Sequence, residues 1–417
     1  MQSAPVLPPA PVNAVTGGID WARDDHAVSV VDAAGHQVRR FTVAHSDAGL
    51  RGLITQLTRA GVGEVAIERP DGPVVEVLLA AGLTVVVISP NQLKNLRGRY
   101  GSAGNKDDRF DAFVLADTLR TDRARLRPLI PDAAATVTLR QACRTRKDLV
   151  KHRVGLANQL RAHLALVFPG AIGLFADLDS PISLTFLDRF DCQDRADWLT
   201  PTRLGAWLRS VGYCGRMDPA VLHARLRAAP RGPAGDQGAA NARITHALLE
   251  ALKVLVVEIK ALEAQIGEQL ALHPDAPIFT SLPRSGTVRA ARLLSEIGDC
   301  RARFPTPSPW PASPVSPPST RQSGKVRAVS FRWGADKELR DAVTDFAADS
   351  RRANPWATHL YDTAIARGHD HPHAVRILAR ARLYVIWHCW QDATPYEPAR
   401  HRALQALHTV PGTARAA

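Results

Sequence analysis

Two short apolar runs, "EVAIERP" (residues 64–70) and "LTVVVISP" (residues 83–90), flank the helix-length segment "GPVVEVLLAAG". No other feature constrains the fold of this chain as much. Runs of that length without polar alternation read as buried strands, and buried strands need helices around them. Upstream the pattern alternates instead. "VTGGID" and "HAVSVVDAAGHQVRRFTV", the latter split by an Ala-Gly turn, predict three antiparallel strands between Val15 and Val43. "SDAGLRGLITQLTRAG" predicts a helix with Ser46 as N-cap, Leu50, Leu53, Ile54 and Leu57 on one face, and Gly61 at its end. "NQLKNLRGRYGSAGNK" reads as a basic loop and "DDRFDAFVLADTLR" as a further helix. The order βββαβαβα predicts a mixed α/β domain over residues 15–128.

Beyond it the pattern turns helical. Leu149, Leu156, Leu160, Leu164 and Val167 form one apolar seam, and Ile244, Leu248, Leu252, Leu255, Ile259, Leu262, Ile266 and Leu270 another. Two such seams predict an antiparallel coiled coil over residues 129–273, with shorter helices inserted at 169–240. A mainly helical carboxy-terminal domain is expected over 274–393. Residues 1–14, "MQSAPVLPPAPVNA", lack the basic start and apolar centre of a signal peptide, and with 394–417 they read as disordered tails.

The chain of 417 residues has 53 Lys and Arg against 40 Asp and Glu, a net charge of +13, which points to a polyanionic partner, most often nucleic acid. Arg140, Arg144, Lys147 and Lys151 fall at helical spacing and predict a cationic stripe suited to a phosphate backbone. Five scattered cysteines without a CxxC pair fit a reducing cytoplasm and argue against a zinc knuckle. No apolar run approaches the roughly 20 residues that span a bilayer, so no membrane partner is expected. His369, His371 and His373 alternate in "HDHPHA", without acidic or cysteine partners at ligand spacing, and read as a polar helix start.

Four carboxylates carry the chemistry. Asp20 sits in the first strand after "GGI", Glu68 ends the fourth, and Asp108 and Asp111 lie three apart on one helix and share a side. Carboxylates on strand ends and a neighbouring helix are what two divalent cations need in order to polarise a phosphate. Asp107, four residues before Asp111, is the alternative to Asp108 by spacing alone. Lys106 and Arg109 stand beside them as phosphate contacts. "GGID" also opens actin-like and sugar-kinase folds, but Trp21, Ala22 and Arg23 follow here instead of the small residues that cradle phosphates.

The set and its order match a ribonuclease-H-like fold. At "GIDWARDDHAVSVVD", "VAIERP" and "KDDRFDAFVLADTLR" the chain resembles the DEDD, RuvC-like domain of the IS110-type insertion-sequence transposases. "SLPRSGTVRAARLLSEIGDCRARFP", "STRQSGK" and "NPWATHLYDTAIARGHDHPHAVRILARARLYVIWHCWQD" are similar to that family's carboxy-terminal transposase domain. The resemblance implies a bacterial, cytoplasmic, nucleoid-associated DNA transposase. It implies Asp20, Glu68, Asp108 and Asp111 as ligands of Mg²⁺ (or Mn²⁺) and Ser323 as the nucleophile, with Arg321 and Lys325 beside it. It further implies a structured guide RNA, DNA at the element ends and target, and a dimer or tetramer. A water-using RuvC or RNase-H-like nuclease and a nucleic-acid-binding remnant are the alternatives.

Against that resemblance, "PTPSPWPASPVSPP" (305–318) has seven prolines where the family carries an apolar helix. Interior proline costs a helix about 3 kcal/mol or more, so none is expected there. The expectation is a pair of compensating frameshifts, real or introduced in sequencing, and a nucleophile whose positioning for activity is in doubt. The coding DNA across residues 308–318, read in an alternative frame, should then encode an apolar helix.

Overall fold

A computed structural model describes residues 6–100, 107–304, 306, 319–323, 326–330 and 337–409. Almost all of the proline-rich stretch, with Lys106, Gly324 and Lys325, lies outside them. The chain divides into two compact units. One comprises residues 1–133, 298–341 and 380–391, the other 134–297, 342–379 and 392–417. The segment 274–393, expected to form one domain, is thus shared between both.

The first unit is built on strands β1 (Val15–Trp21), β2 (Asp25–Asp32), β3 (Gln37–Ala44), β4 (Glu64–Ile67) and β5 (Thr84–Val87). Its helices include α1 (Asp47–Arg59), α2 (Pro73–Ala80), α3 (Pro90–Arg97) and α4 (Asp108–Thr121). The sheet order is β3-β2-β1-β4-β5; β1, β2 and β3 pair antiparallel, and β1–β4 and β4–β5 pair parallel. This is the mixed α/β sheet that the sequence predicts. The apolar runs are continuous because neighbouring residues enter different cores. Val65, Ile67 and Val85 pack with Leu53, Leu57 and Leu78, whereas Ala66 and Val86 pack with Leu93, Val114 and Leu115.

Two expectations for this unit need correction. The first half of the predicted basic loop is α3, started by a capping box: Ser89 Oγ accepts from Gln92 N, and Gln92 Oε1 accepts from Ser89 N at 3.1 Å, with Pro90 in the first turn. The amino-terminal tail is anchored from residue 6 onward. Leu7 is buried in the second core, and the Pro8 carbonyl accepts a 2.8 Å bond from Arg123 Nε.

The second unit contains two long helices, α5 (Ala134–Val167) and α10 (Gly235–Ala271). Thr136 meets His273, Arg146 meets Glu263 and His163 meets Thr245, so the helices run antiparallel. Between them come α6 (Pro181–Arg189), α7 (Gln193–Asp197), α8 (Pro201–Ser210) and α9 (Pro219–Ala228). These close a core in which Phe168, Phe186 and Leu204 join Leu160, Leu164, Leu249 and Leu252. Ile244, expected in the seam, is 51% exposed, and Leu249 is buried in addition to Leu252.

Helices α11 (Ala276–Thr280) and α12 (Gly286–Ile297) follow. A hairpin of β6 (Ser319–Ser323) and β7 (Val326–Ser330) then appears in a region expected to be mainly helical. The chain ends in α13 (Lys337–Ser350), α14 (Pro355–Ala366), α15 (His371–Gln391) and α16 (Arg402–Thr409). The carboxy-terminal tail is ordered in part. Tyr396 is buried and its amide donates to Ser281 Oγ at 2.7 Å, while Leu404 of α16 is also buried.

Candidate active site

Strands β1 and β4 run side by side in the same direction with Ile19 opposite Ile67. The next residue of each is a carboxylate, so Asp20 and Glu68 emerge at the same end of the sheet. Asp20 is buried and Glu68 half-buried. Helix α4 reaches this end because Gly18 lets it lie directly on β1. A Cβ at Gly18 would sit 2.1 Å from the Ala112 carbonyl oxygen and 2.5 Å from the Ala116 nitrogen. Buried Thr16 adds a 2.9 Å bond from its hydroxyl to the Ala116 carbonyl.

Within α4 the aspartates divide their roles. Asp107 is the N-cap, accepting from the Arg109 amide at 3.1 Å. Asp108 is the exposed first residue, and Asp111, one turn on, is 1% exposed. Asp111 has a partner that sequence reasoning missed. Arg97, the last residue of α3, donates from Nε to Oδ1 and from Nη2 to Oδ2, both at 2.5 Å. The bond to Asp111 is foremost in raising the Arg97 pKa above its ordinary value; burial opposes it, and the charges of Glu68 and Asp20 add to it. One guanidinium therefore lies within the field of three of the four expected carboxylates. The "SPNQ" capping box, which starts the helix that ends at Arg97, was the available signal.

The remaining acids nearby have cations of their own. Asp117 is held by Tyr100 and Arg120, each at 2.7 Å, and burial first, then the bond to Asp117, pushes the Tyr100 phenol up to about 12. Glu64, at the other end of β4, forms a buried fork with Arg123. Beside the carboxylates, Arg69 stacks 4.2 Å over the Trp21 ring. His26 is fully buried against His45 at 2.9 Å, and burial brings its pKa down to about 4.

The cationic stripe is shortened by packing. Arg140 Nε donates to the Ser295 carbonyl at 2.7 Å, and Arg144 forms a fork with buried Glu296 at 2.9 and 2.7 Å. Lys147 is half-buried, whereas Lys151 and Arg109 are exposed. Arg321 and Ser323 lie on β6, with Ser323 opposite Val326, and Lys106 and Lys325 fall outside the described residues. Sequence reasoning also missed a basic groove where Arg39, Arg40 and Arg59 gather around Phe41, Thr55 and Gln56. Its arginines come from β3 and α1, and neither segment alone shows a basic face.

Among the described residues, three metal-type ligand atoms come within 4.8 Å of one another at exposed Asp188, His246 and Glu250. There the Lys253 ammonium already bridges Asp188 at 2.6 Å and Glu250 at 2.8 Å. The histidines of "HDHPHA" form no such group among the described residues; His371 Nδ1 meets the Tyr361 hydroxyl at 2.7 Å, and the Asp370 carboxylate caps the His373 amide at 2.9 Å. Asp20, Glu68 and Asp111 form no such close group among the described residues; they place hard oxygen donors, the type a divalent cation takes, toward one end of the sheet.

A family model described as a transposase, the IS110 DEDD type, matches residues 17–169, and one for the IS116/IS110/IS902 transposase family matches residues 276–362. The protein of the IS117 mini-circle of Streptomyces coelicolor, named for transposition of that element, is 30% identical over 92% of this chain and 95% of its own. The 42 kDa protein of insertion element IS900 from Mycobacterium paratuberculosis is 29% identical over 92% of this chain and 98% of its own. The solved Thermus thermophilus RuvC in complex with a Holliday junction matches over 28% of this chain and 99% of its own, at 19% identity and a TM-score of 0.23. With its strand order, its carboxylates and a relative aligned along nearly its whole length, the chain belongs to the IS110-type family of DNA transposases.

Proposed function

We propose that this transposase cleaves and rejoins DNA at the ends of an insertion sequence, with Asp20, Glu68, Asp108 and Asp111 holding Mg²⁺ or Mn²⁺ and Ser323 as nucleophile. The observation that carries this reading is the placement of Asp20 and Glu68 at one end of the sheet, with α4 laid on β1 at Gly18 and Asp111 forked to Arg97. A bound divalent cation would polarise the scissile phosphate and stabilise the departing oxygen. Ser323 loses its hydroxyl proton and bonds to phosphorus, the bond from phosphorus to one deoxyribose oxygen breaks, and that oxygen takes up a proton. Attack by a second strand's hydroxyl reverses the steps and rejoins DNA. In support, Ser323 belongs to the same compact unit as the carboxylates, and Arg321 and Lys325 beside it suit a phosphate.

A structured guide RNA that selects donor and target, and assembly as a dimer or tetramer, belong to the same proposal. The net charge of +13 and the groove at Arg39, Arg40 and Arg59 are compatible with polyanions along the backbone. The test is an excision and insertion assay with the native flanking DNA, run beside Asp20→Ala and Ser323→Ala. Asp20→Ala should abolish cleavage, and Ser323→Ala should abolish the covalent protein–DNA product, with DNA binding retained in both. Cleavage by Ser323→Ala would instead mean a nuclease using water. Wild-type protein that binds the ends yet never cuts with Mg²⁺ or Mn²⁺ would mean a binding remnant.

A further inference from the structure

Arg97 and Asp111 form a forked pair of unequal exposure: the Arg97 side chain is 24% exposed and that of Asp111 1%. The carboxylate has no route to solvent of its own, whereas the guanidinium has one. Arg97 is also the last residue of α3, and Gly98 follows it, so its backbone is held by a helix on one side only. Its fork engages both Asp111 oxygens, and it lies near enough to Glu68 and Asp20 to feel their charges. A divalent cation bound to Asp111 and Asp20 would stand within a few ångströms of this guanidinium. Like charges at that spacing in a half-buried site repel strongly.

We propose that Arg97 is a displaceable internal cation that neutralises Asp111 in the metal-free protein and must leave it for a divalent ion to bind there. The inference rests on the metal-binding reading above and adds a competitor to it. Removing the guanidinium has two opposite effects. The buried Asp111 charge loses its partner, which destabilises the metal-free fold. The same charge becomes available to the ion, which raises metal affinity.

The test uses the full chain as wild type, Arg97→Gln and Arg97→Lys, titrated with Mn²⁺ alone while free aqua-Mn²⁺ is counted by electron paramagnetic resonance. Thermal unfolding in EDTA and in saturating Mn²⁺ accompanies it. Arg97→Gln should bind Mn²⁺ about tenfold more tightly, melt below wild type in EDTA and close that gap in Mn²⁺. Adding Asp111→Asn to Arg97→Gln should remove the gain, which locates the ion. Arg97→Lys keeps a charge but loses the fork, so it should fall between. If Arg97→Gln does not fold without metal, Arg97→Lys carries the comparison, with about a threefold rise expected. Equal or weaker Mn²⁺ binding by the folded variant overturns the proposal and leaves the metal reading standing. No Mn²⁺ binding by any of the proteins overturns both.

Discussion

A Cβ on Gly18 would meet the carbonyl oxygen of Ala112 at 2.1 Å, so α4 lies on β1 only because residue 18 has no side chain. That approach brings Asp111, the neighbour of Ala112, to the sheet end that carries Asp20 and Glu68. Gly18→Ala must therefore push backbone against backbone. The expected loss is about 1–3 kcal/mol or more in urea unfolding, together with loss of DNA cleavage. Gly17→Ala is the control, because its added Cβ would press on Val62 and Val65 side-chain atoms at 3.1 and 3.2 Å and meet backbone, the Glu64 carbonyl oxygen, only at an ordinary 3.6 Å. A Gly18→Ala protein as stable and active as wild type would show that α4 can shift without cost.

Two buried aspartates of the same unit should separate chemistry from stability. Asp20→Asn is expected to retain the fold and lose cleavage by about a hundredfold or more, since even outer partners of a metal site are worth up to that factor. Asp117→Asn weakens the bonds from Tyr100 and Arg120. It should cost about 1–3 kcal/mol of stability and leave Mn²⁺ affinity unchanged. Melting curves and Mn²⁺ titrations of the pair check this, and a Mn²⁺ deficit in Asp117→Asn would place it in the site.

Arg144 and Lys151 share a helix but should behave differently. Arg144→Ala strands the buried Glu296 carboxylate, and with Arg144 itself 43% exposed the expected loss is about 1–3 kcal/mol, less than for a fully buried pair. Its effect on the salt dependence of DNA binding should be nil. Lys151→Ala should leave stability intact and, if Lys151 meets a phosphate, reduce the slope of log K against log salt by about 0.9. Binding titrations across salt concentrations distinguish the two.

His26 supplies a pH dependence. Its pKa of about 4 in the folded protein lies below the ordinary 6.5, so the fold holds the ring neutral while the unfolded chain takes up a proton. Stability should fall as pH drops from about 6.5 to about 4 and level off below, by at most about 3 kcal/mol for this group. His26→Phe should lose less stability than wild type over the same interval in urea titrations at pH 7 and pH 4.5. Equal losses would assign the pH effect to other groups.

The amino-terminal α/β domain was legible because its signals are local. Alternation in "HAVSVVD" and unbroken apolar runs in "EVAI" and "LTVVV" report which faces are covered, and each strand announces itself within a few residues. Helix α3 was missed because "NQLKNLRG" has a single fully buried apolar residue, Leu93, and its capping box was the stronger sign. The β6–β7 hairpin was missed because both strands are only five residues long and "STRQS" is wholly polar, so neither gives a clear apolar alternation.

The sequence by itself determined the family, through the resemblance of its motifs, and, through periodicity, the strand that carries Asp20, the strand that Glu68 follows and the helix that carries Asp108 and Asp111. The strands and the helix are properties of periodicity, which neighbouring residues settle among themselves; which side of that helix is buried is not, since Asp108 is exposed and Asp111 buried. Only the tertiary structure decided which charges meet. Arg97 reaches Asp111 because α3 and α4 pack against the same sheet, and Arg144 turns to Glu296 across 152 positions. An ion pair is set by where the backbone brings two side chains and by how much water it removes from them, and neither quantity is local in the chain.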